Sequence, residues 1–204
     1  MSTPDDVWPV LLSTLGTEKH FHAIGVITSR YNALENGIFE LVAYYLRIHD
    51  IPNSVIEFMY LSLPENRRKD AARLIFRDCE DDKYTRGLMD NLLDHYEWCS
   101  DSRNRIAHSE HYAFNRETFD KIKLSKRKNK TSTERITIDI DVETLRMVAD
   151  EIETCRIQAI QIFIYLVCRD KQPQKFEDYI AIFSCETLPG KLSIPASLDS
   201  EKRP

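Results

Sequence analysis

Residues 24–45, IGVITSRYNALENGIFELVAYY, carry an apolar side chain at every third or fourth position. This spacing places the apolar set on one stripe of an α-helix, because neighbouring turns stack residues three and four apart. Thr17 and Glu18 provide a start for this helix, and Pro52 prevents it from continuing past Ile51, so it is predicted to end near His49. The stripe consists of Ile24, Ile27, Tyr31, Leu34, Ile38, Leu41 and Tyr45.

Helical spacing recurs in four later segments of the chain. The last of them shares the seven-residue repeat of the first helix, so the two are predicted to pack lengthwise against each other. The short second helix is expected to be capped by Asn53 or Ser54, and Pro64 is expected to open the third. The predicted segments are 54–61, 64–79, 84–107 and 145–166.

The period changes to two between Tyr112 and Asp141, where Ile122 and Leu124, and then three further isoleucines, alternate with polar residues. Such alternation is typical of half-buried strands, so a β-hairpin with its tip at residues 126–130 is predicted. The fold class is therefore mainly α. We expect a bundle of four to five helices over residues 1–170, with a hairpin inserted at about 115–141, and a proline-containing extension over 171–204 that ends in a loose tail.

Composition narrows the function classes. The net charge is -5, but the segment from Lys121 to Arg135 contains seven Lys or Arg and one Glu, so a basic patch interrupts an acidic chain.

The longest apolar stretches are too short to cross a bilayer, and an acidic N-terminus does not resemble a secretory signal. Five scattered cysteines without a CxxC pair favour a reducing compartment and provide no zinc ligand set. We expect a cytoplasmic protein without a metal or other cofactor.

The segment RNRIAH, Arg103–His108, lies at the end of the fourth predicted helix and immediately precedes the change to strand spacing. The apolar line of that helix, through Leu88, Leu92, Tyr96 and Cys99, leads to Arg103 and Ile106, so an arginine falls on a core stripe. Asn104 and His108 are four residues apart and share a helix face, whereas Arg103 and His108 differ by about 140°. Reactive groups at the end of an element can reach solvent.

An arginine separated by four residues from a histidine, with asparagine directly after the arginine, resembles the motif of the HEPN superfamily. The order of elements is also similar, since HEPN domains are bundles of four or five helices whose long first helix bears Leu-Glu, here Leu34 and Glu35. The architectural resemblance covers roughly residues 18–169, and the motif-level resemblance covers only Arg103–His108. Many HEPN proteins are metal-independent endoribonucleases of toxin–antitoxin or phage-defence systems, and others are non-catalytic binding modules.

This resemblance implies roles for individual residues. His108 would exchange protons with the RNA 2′-hydroxyl or the leaving oxygen, and Arg103 would stabilise the negative charge of the phosphate. Asn104 would orient His108 or a phosphate oxygen, and Glu35 would hold Arg103. RNA is the expected substrate, and an antitoxin or other protein is a possible partner. The candidate RNA contacts near the motif and in the hairpin are Arg105, His111, Lys126, Arg127, Lys128 and Lys130.

Because Arg103 and His108 point in different directions from one helix, there are two ways in which both side chains could belong to one site. Either the helix loosens near Ala107, or two copies of the segment face each other across a homodimer. The residues also permit structural roles. An arginine near a helix end pairs readily with Asp or Glu, and a histidine there satisfies free carbonyl groups.

Overall fold

The computed structural model describes residues 18–48, 50–108, 110–112, 121–127, 135–171 and 190–198. Within these residues the chain is mainly helical, with one small antiparallel sheet, which confirms the predicted fold class in outline. The helices are α1 (Glu18–Ile48), α2 (Asn53–Ser62), α3 (Glu65–Cys79), α4 (Lys83–Ala107) and α5 (Val142–Lys171). The strands are β1 (Glu110–Tyr112), β2 (Lys121–Arg127) and β3 (Arg135–Asp141).

The helix ends follow local chemistry. Asp141 precedes α5, and its carboxylate accepts hydrogen bonds from the amide and the hydroxyl of Thr144, both at 2.7 Å. Asp82 precedes α4 and caps it through Thr85 in the same way. The prediction that Asn53 or Ser54 caps α2 is wrong, since Pro52 occupies that position without a side-chain hydrogen bond. Proline needs no amide partner at a helix start.

The chain divides into two compact units. The motif unit comprises the described residues within Met1–Arg30, Ser100–Glu151 and Ala196–Pro204, and it contains the sheet and the Arg103–His108 segment. The bundle unit comprises the described residues within Tyr31–Cys99 and Ile152–Pro195.

Helices α1 and α5 pack side by side in the bundle unit. A Cβ placed on Gly37 would lie 3.4 Å from the Cβ of Ala159, so the two backbones approach closely there. Two helical turns further along α1, the hydroxyl of Tyr44 donates to the carbonyl of Leu166 at 3.1 Å. The predicted lengthwise packing of the first and last helices is therefore confirmed.

Part of the C-terminal extension docks on the bundle unit. The amide of Leu192 donates to the side-chain oxygen of Asn91 at 2.7 Å, and the Asn91 side-chain nitrogen donates back to the Leu192 carbonyl at 3.1 Å. Gln158 donates to the carbonyl of Gly190 at 2.9 Å. The predicted docked extension is thus present at residues 190–195, whereas the predicted loose tail lies outside the described residues beyond 198.

The sheet of the motif unit has the order β1-β2-β3. Leu124 stands opposite Ile138, and Ile122 opposite Ile140, in the antiparallel pairing of β2 with β3. Ile122, Leu124 and Ile140 are buried, as the alternating pattern predicts. The hairpin is confirmed, and the short strand β1, which pairs with the other edge of β2, adds a third strand that the spacing did not define.

A charged cluster holds the bundle unit together where α3 meets α4. The carboxylate of Glu80, 4% exposed, accepts two hydrogen bonds from the guanidinium of Arg169, at 3.2 and 3.1 Å, and one from the hydroxyl of Tyr45. The Arg169 guanidinium also contacts Asp170. A buried carboxylate depends on such partners, because an unpaired charge in the interior is costly.

Replacing Arg169 with glutamine is expected to lower the free energy of unfolding by about 2–3 kcal/mol, because it leaves the buried Glu80 carboxylate without its cation. Arg77→Gln is the matched control, since the Arg77–Asp78 pair is exposed and should contribute less than about 1 kcal/mol. Urea denaturation followed by circular dichroism measures both. Equal losses for the two variants would show that burial does not strengthen the Glu80–Arg169 interaction.

Candidate functional site

The last turn of α4 carries the motif. The helix ends at Ala107, and the amide of His108 still donates to the carbonyl of Asn104 at 3.1 Å. The helical turn that would place Asn104 and His108 on a common face is therefore present in the backbone. Helix α4 does not loosen before its final residue.

Arg103 and Asn104 form a pair at this end of α4. The guanidinium Nη1 of Arg103 donates to the side-chain oxygen of Asn104 at 2.7 Å, and the Asn104 side-chain nitrogen lies 3.4 Å from the hydroxyl oxygen of Ser100. Among the described residues, the Asn104 side chain makes no hydrogen bond to the His108 imidazole. Because an amide carries no net charge, this contact orients the guanidinium without neutralising it.

The three motif residues differ in exposure. The side chain of His108 is exposed, whereas Arg103 and Asn104 are half-buried. Arg105, expected as an RNA contact, is only 6% exposed, so its guanidinium is not placed to meet RNA without movement. Burial of this kind favours a structural role for Arg105. Arg103 was predicted to lie on the buried stripe of α4, but it is only half-buried. The buried residues at this end of α4 are Ser102, Arg105 and Ile106.

His108 lies in a connection of two residues between α4 and β1. On one side the helix fixes its amide, and on the other the backbone of β1 pairs with β2, with Glu110 opposite Ser125. An exposed imidazole is thus attached to two regular elements rather than to a long loop. Sites built on regular elements hold their geometry better than sites on loops.

The register of the sheet relates the basic hairpin to His108. Because β1 and β2 are antiparallel, the end of β1 that follows His108 lies beside the end of β2 that contains Lys126 and Arg127. These two candidate RNA contacts therefore belong to the same end of the sheet as His108. His111 stands opposite Leu124 in the register, and Lys128 and Lys130 lie outside the described residues.

Glu35 lies in the bundle unit, and its partners there come from α3 and α4. Its Oε1 accepts hydrogen bonds from Arg68 at 3.4 Å and from the hydroxyl of Tyr96 at 3.3 Å. Burial, and next the adjacent Tyr31, raises the pKa of Tyr96 well above its ordinary value, so this hydroxyl remains a donor. No sequence spacing indicated Arg68 as a partner. The pairing of Glu35 with Arg103 stays a prediction.

The motif unit also contains a groove of about 510 Å³ between the N-terminal parts of α1 and of α5. Its apolar lining residues are Ala23, Val26 and Ala149. Arg30 in its wall pairs with Asp150 at 2.9 Å. The remaining lining residues are Glu18, Lys19, His22 and Arg146, of which Arg146 pairs with Glu143 at 2.6 Å.

Two general features of the described residues bear on the class of protein. None of the described helices is long and apolar enough to cross a membrane. The described part of the chain contains no group of three or more His, Cys, Asp or Glu residues placed to hold a metal ion.

Comparisons with protein-family models, with curated proteins and with solved structures gave no match. The resemblance to HEPN proteins therefore depends on the motif and the order of elements.

Substitution of His108 by alanine is expected to change the free energy of unfolding by less than about 0.5 kcal/mol, because the imidazole is exposed and makes no hydrogen bond within the described residues. Ile106→Ala, two residues earlier, should cost about 3 kcal/mol, since Ile106 is fully buried. Chemical denaturation tests both. A loss of several kcal/mol in His108→Ala would mean that His108 supports the fold and would weaken its assignment to a functional site.

Proposed function

We propose that this protein is a metal-independent endoribonuclease of the HEPN type, acting in the cytoplasm as a toxin or phage-defence effector. The observation that supports this most is the placement of His108. It is an exposed imidazole one helical turn after Asn104, and it lies at the end of the sheet where the basic strand β2 ends. An acid–base group, a guanidinium and a positive surface are the components that cleavage of an RNA phosphodiester requires.

The proposed reaction uses the RNA's own 2′-hydroxyl as the nucleophile. His108 removes the proton of this hydroxyl, and its oxygen then bonds to the adjacent phosphorus. The bond from phosphorus to the 5′-oxygen of the next nucleotide breaks, and that oxygen takes up the proton that His108 removed. The products are a 2′,3′-cyclic phosphate and a free 5′-hydroxyl, so no water or cofactor is consumed in this step.

Arg103 stabilises the negative charge that accumulates on the phosphate oxygens as the nucleophile attacks. Its planar guanidinium donates several hydrogen bonds in a fixed geometry, which suits phosphate. The contact with Asn104 restricts the guanidinium, so we assign Asn104 to positioning Arg103 rather than His108. Positioning of this kind lowers the entropic cost of reaching the transition state.

A homodimer completes the proposed site. The helical turn persists to the amide of His108, so a loosened helix does not bring Arg103 toward His108. A two-fold axis beside the two motifs would place Arg103 of one copy near His108 of the other. An antitoxin that covers this cleft is the kind of partner the HEPN resemblance implies.

Purified protein is expected to cleave single-stranded RNA in the presence of EDTA. His108→Ala should reduce the cleavage rate by about 10²–10⁴-fold, which is the usual contribution of a general acid or base. Arg103→Ala should reduce it by about 10²–10³-fold through loss of charge stabilisation. Gel electrophoresis of labelled RNA, with initial rates, measures both effects.

Arg67→Ala and Arg77→Ala serve as matched controls, because both residues are exposed and neither belongs to the motif or lines the groove. They should cleave at the wild-type rate. If His108→Ala cleaves as fast as Arg67→Ala, or if wild-type protein leaves every RNA intact, the ribonuclease proposal fails.

The groove between α1 and α5 favours a second candidate function, a non-catalytic module that binds RNA or another anionic ligand. Its volume of about 510 Å³ lies within the usual range for ligand sites. Lys19 and Arg146 contribute positive charge to a lining that also contains apolar side chains. This function needs neither proton transfer nor His108.

For the binding module, charge reversal by Lys19→Glu together with Arg146→Glu should weaken RNA binding at least about tenfold, because repulsion replaces attraction at the groove. Fluorescence anisotropy with labelled RNA measures the dissociation constant. Arg67→Glu together with Arg77→Glu produces the same change in net charge and is the matched control, since both residues are exposed on α3 and neither lines the groove. Unchanged affinity in the double variant excludes the groove as the RNA site.

A further inference from the structure

Helix α2 carries a phenylalanine that is directed away from the protein core. The buried residues of this ten-residue helix are Ile56 and Tyr60, so its inward direction lies midway between them. At about 100° per residue, Phe58 lies about 180° from that direction. Phe58 is 75% exposed, the largest exposed fraction of any large apolar residue that the structure describes. The ring therefore faces solvent.

The neighbours of Phe58 on this side of the helix are also apolar and exposed. Val55 and Leu61, three residues before and after it, are 43% and 50% exposed, and the adjacent Met59 is 57% exposed. Residues three and four apart are neighbours on a helix surface, so the four side chains form one continuous patch. We call Val55, Phe58, Met59 and Leu61 the α2 face.

The α2 face contains no charged residue. The other exposed residues on the same side of the helix are Ser54 and Ser62, and Glu57, the only charged residue of α2, lies about 100° from Phe58. Single exposed apolar residues are normal in soluble proteins, whereas a continuous apolar patch with a polar rim usually marks an interaction site. The α2 face has the character of such a site.

The lack of charge indicates which molecule the α2 face fits. A different protein is commonly selected, and others rejected, through complementary charges, and this face offers none to match. A two-fold axis between two copies of one chain instead brings each residue near the axis against its own equivalent. Equivalent charges would repel there, but two phenyl rings form a favourable aromatic pair. An uncharged face centred on Phe58 thus fits a second copy of this chain.

The size of the α2 face predicts the strength of such a contact. Large apolar residues present on the order of 150–250 Å² when fully exposed, so the four exposed fractions leave roughly 450 Å² on each copy. Two copies would bury roughly 900 Å² from these residues, and the serines at the rim add to this area. Specific interfaces begin at about 1,000 Å² in total, and those near this limit are weak. The expected dissociation constant is therefore on the order of 10–100 µM.

We propose that the α2 face is a homodimer interface in which Phe58 packs against Phe58 of a second copy. The contact lies in the bundle unit and uses no residue of the Arg103–His108 segment. It is therefore separate from the motif-to-motif contact of the proposed ribonuclease, and it does not depend on RNA cleavage. Salt should not weaken an apolar contact of this kind, because screening acts on charges.

Sedimentation velocity over about 1–500 µM protein measures the association, since this range spans the expected dissociation constant. The wild-type weight-average mass should rise with concentration, and about 0.5 M NaCl should not reduce this rise. Phe58→Glu should weaken the association at least about tenfold, because the two-fold axis places both introduced carboxylates in the interface. Met59→Glu is a second variant with the same expected direction.

Leu74→Glu is the matched control. Leu74 on α3 is 50% exposed, as Leu61 is, but its neighbours three and four residues away include the charged Asp70, Arg77 and Asp78. This variant should associate as wild type does. All three variants should melt at the wild-type temperature in dilute solution, because the replaced residues are exposed. Circular dichroism checks this, so a loss of association is not mistaken for a loss of fold.

Photo-cross-linking distinguishes the α2 contact from a contact through the motif. p-Benzoylphenylalanine in place of Phe58 keeps an aromatic ring on the α2 face, and irradiation at about 50 µM protein should yield a covalent dimer. Mass spectrometry should locate the cross-link within α2 of the second copy, Asn53–Ser62. The same group in place of Leu74 should yield no such dimer.

The outcomes decide the proposal. A wild-type mass that does not rise with concentration overturns the second copy as the occupant of the α2 face. Equal association of Phe58→Glu and Leu74→Glu, or cross-links that map outside α2, would show that the copies meet through another surface. Association that salt abolishes would assign the contact to charged groups. Each of these results refutes the α2 interface and leaves the ribonuclease proposal unaffected.

Discussion

The antiparallel pairing of β1 with β2 is the constraint on which the candidate site depends. Strand β1 is only three residues long, Glu110–Tyr112, yet its pairing determines where the chain goes after His108. Without this pairing, an exposed histidine at a helix end would be followed by a free loop. Because of this pairing, His108 and the residues Lys126 and Arg127 of β2 lie at the same end of the sheet.

Helix α4 provides the other half of this arrangement. Its last turn holds Arg103 against Asn104 and directs the backbone of His108 through the carbonyl of Asn104. The bundle unit supports α4 with an apolar line and with the polar contacts of Tyr96 and Glu35. Catalytic groups placed on such elements lose little entropy when a substrate binds. The structural and the proposed chemical roles of α4 are therefore spread along one helix.

Much of the fold could be predicted from residue spacing, because strong periodicity and prolines determine where helices begin and end. Helix α1 ends at Ile48, one residue before the predicted His49, and α3 ends at the predicted Cys79. The buried line at the end of α4 was predicted less accurately. Ile106 is buried as predicted, but Ser102 and Arg105 are buried beside it, while Arg103 is only half-buried.

The candidate site could be predicted as a set of residues but not as a set of contacts. The sequence indicated Arg103, Asn104 and His108, whereas the Arg103–Asn104 hydrogen bond depends on side-chain geometry within one turn. Arg68 as a partner of Glu35 comes from a different helix, and no local pattern encodes it. The register that opposes Arg127 to Arg135 likewise follows from strand pairing, which composition alone does not define.

Cleavage of an RNA with a single 2′-deoxy substitution tests the central claim most directly, because the RNA then lacks only the 2′-hydroxyl that would attack one particular phosphodiester bond. The account predicts that wild-type protein stops cutting at the substituted nucleotide and continues at other positions. Mass spectrometry of the products should show 2′,3′-cyclic phosphate and 5′-hydroxyl ends. Cutting at the deoxy position, or products with 5′-phosphate ends, would contradict the assignment of His108 to a reaction driven by the RNA's own hydroxyl.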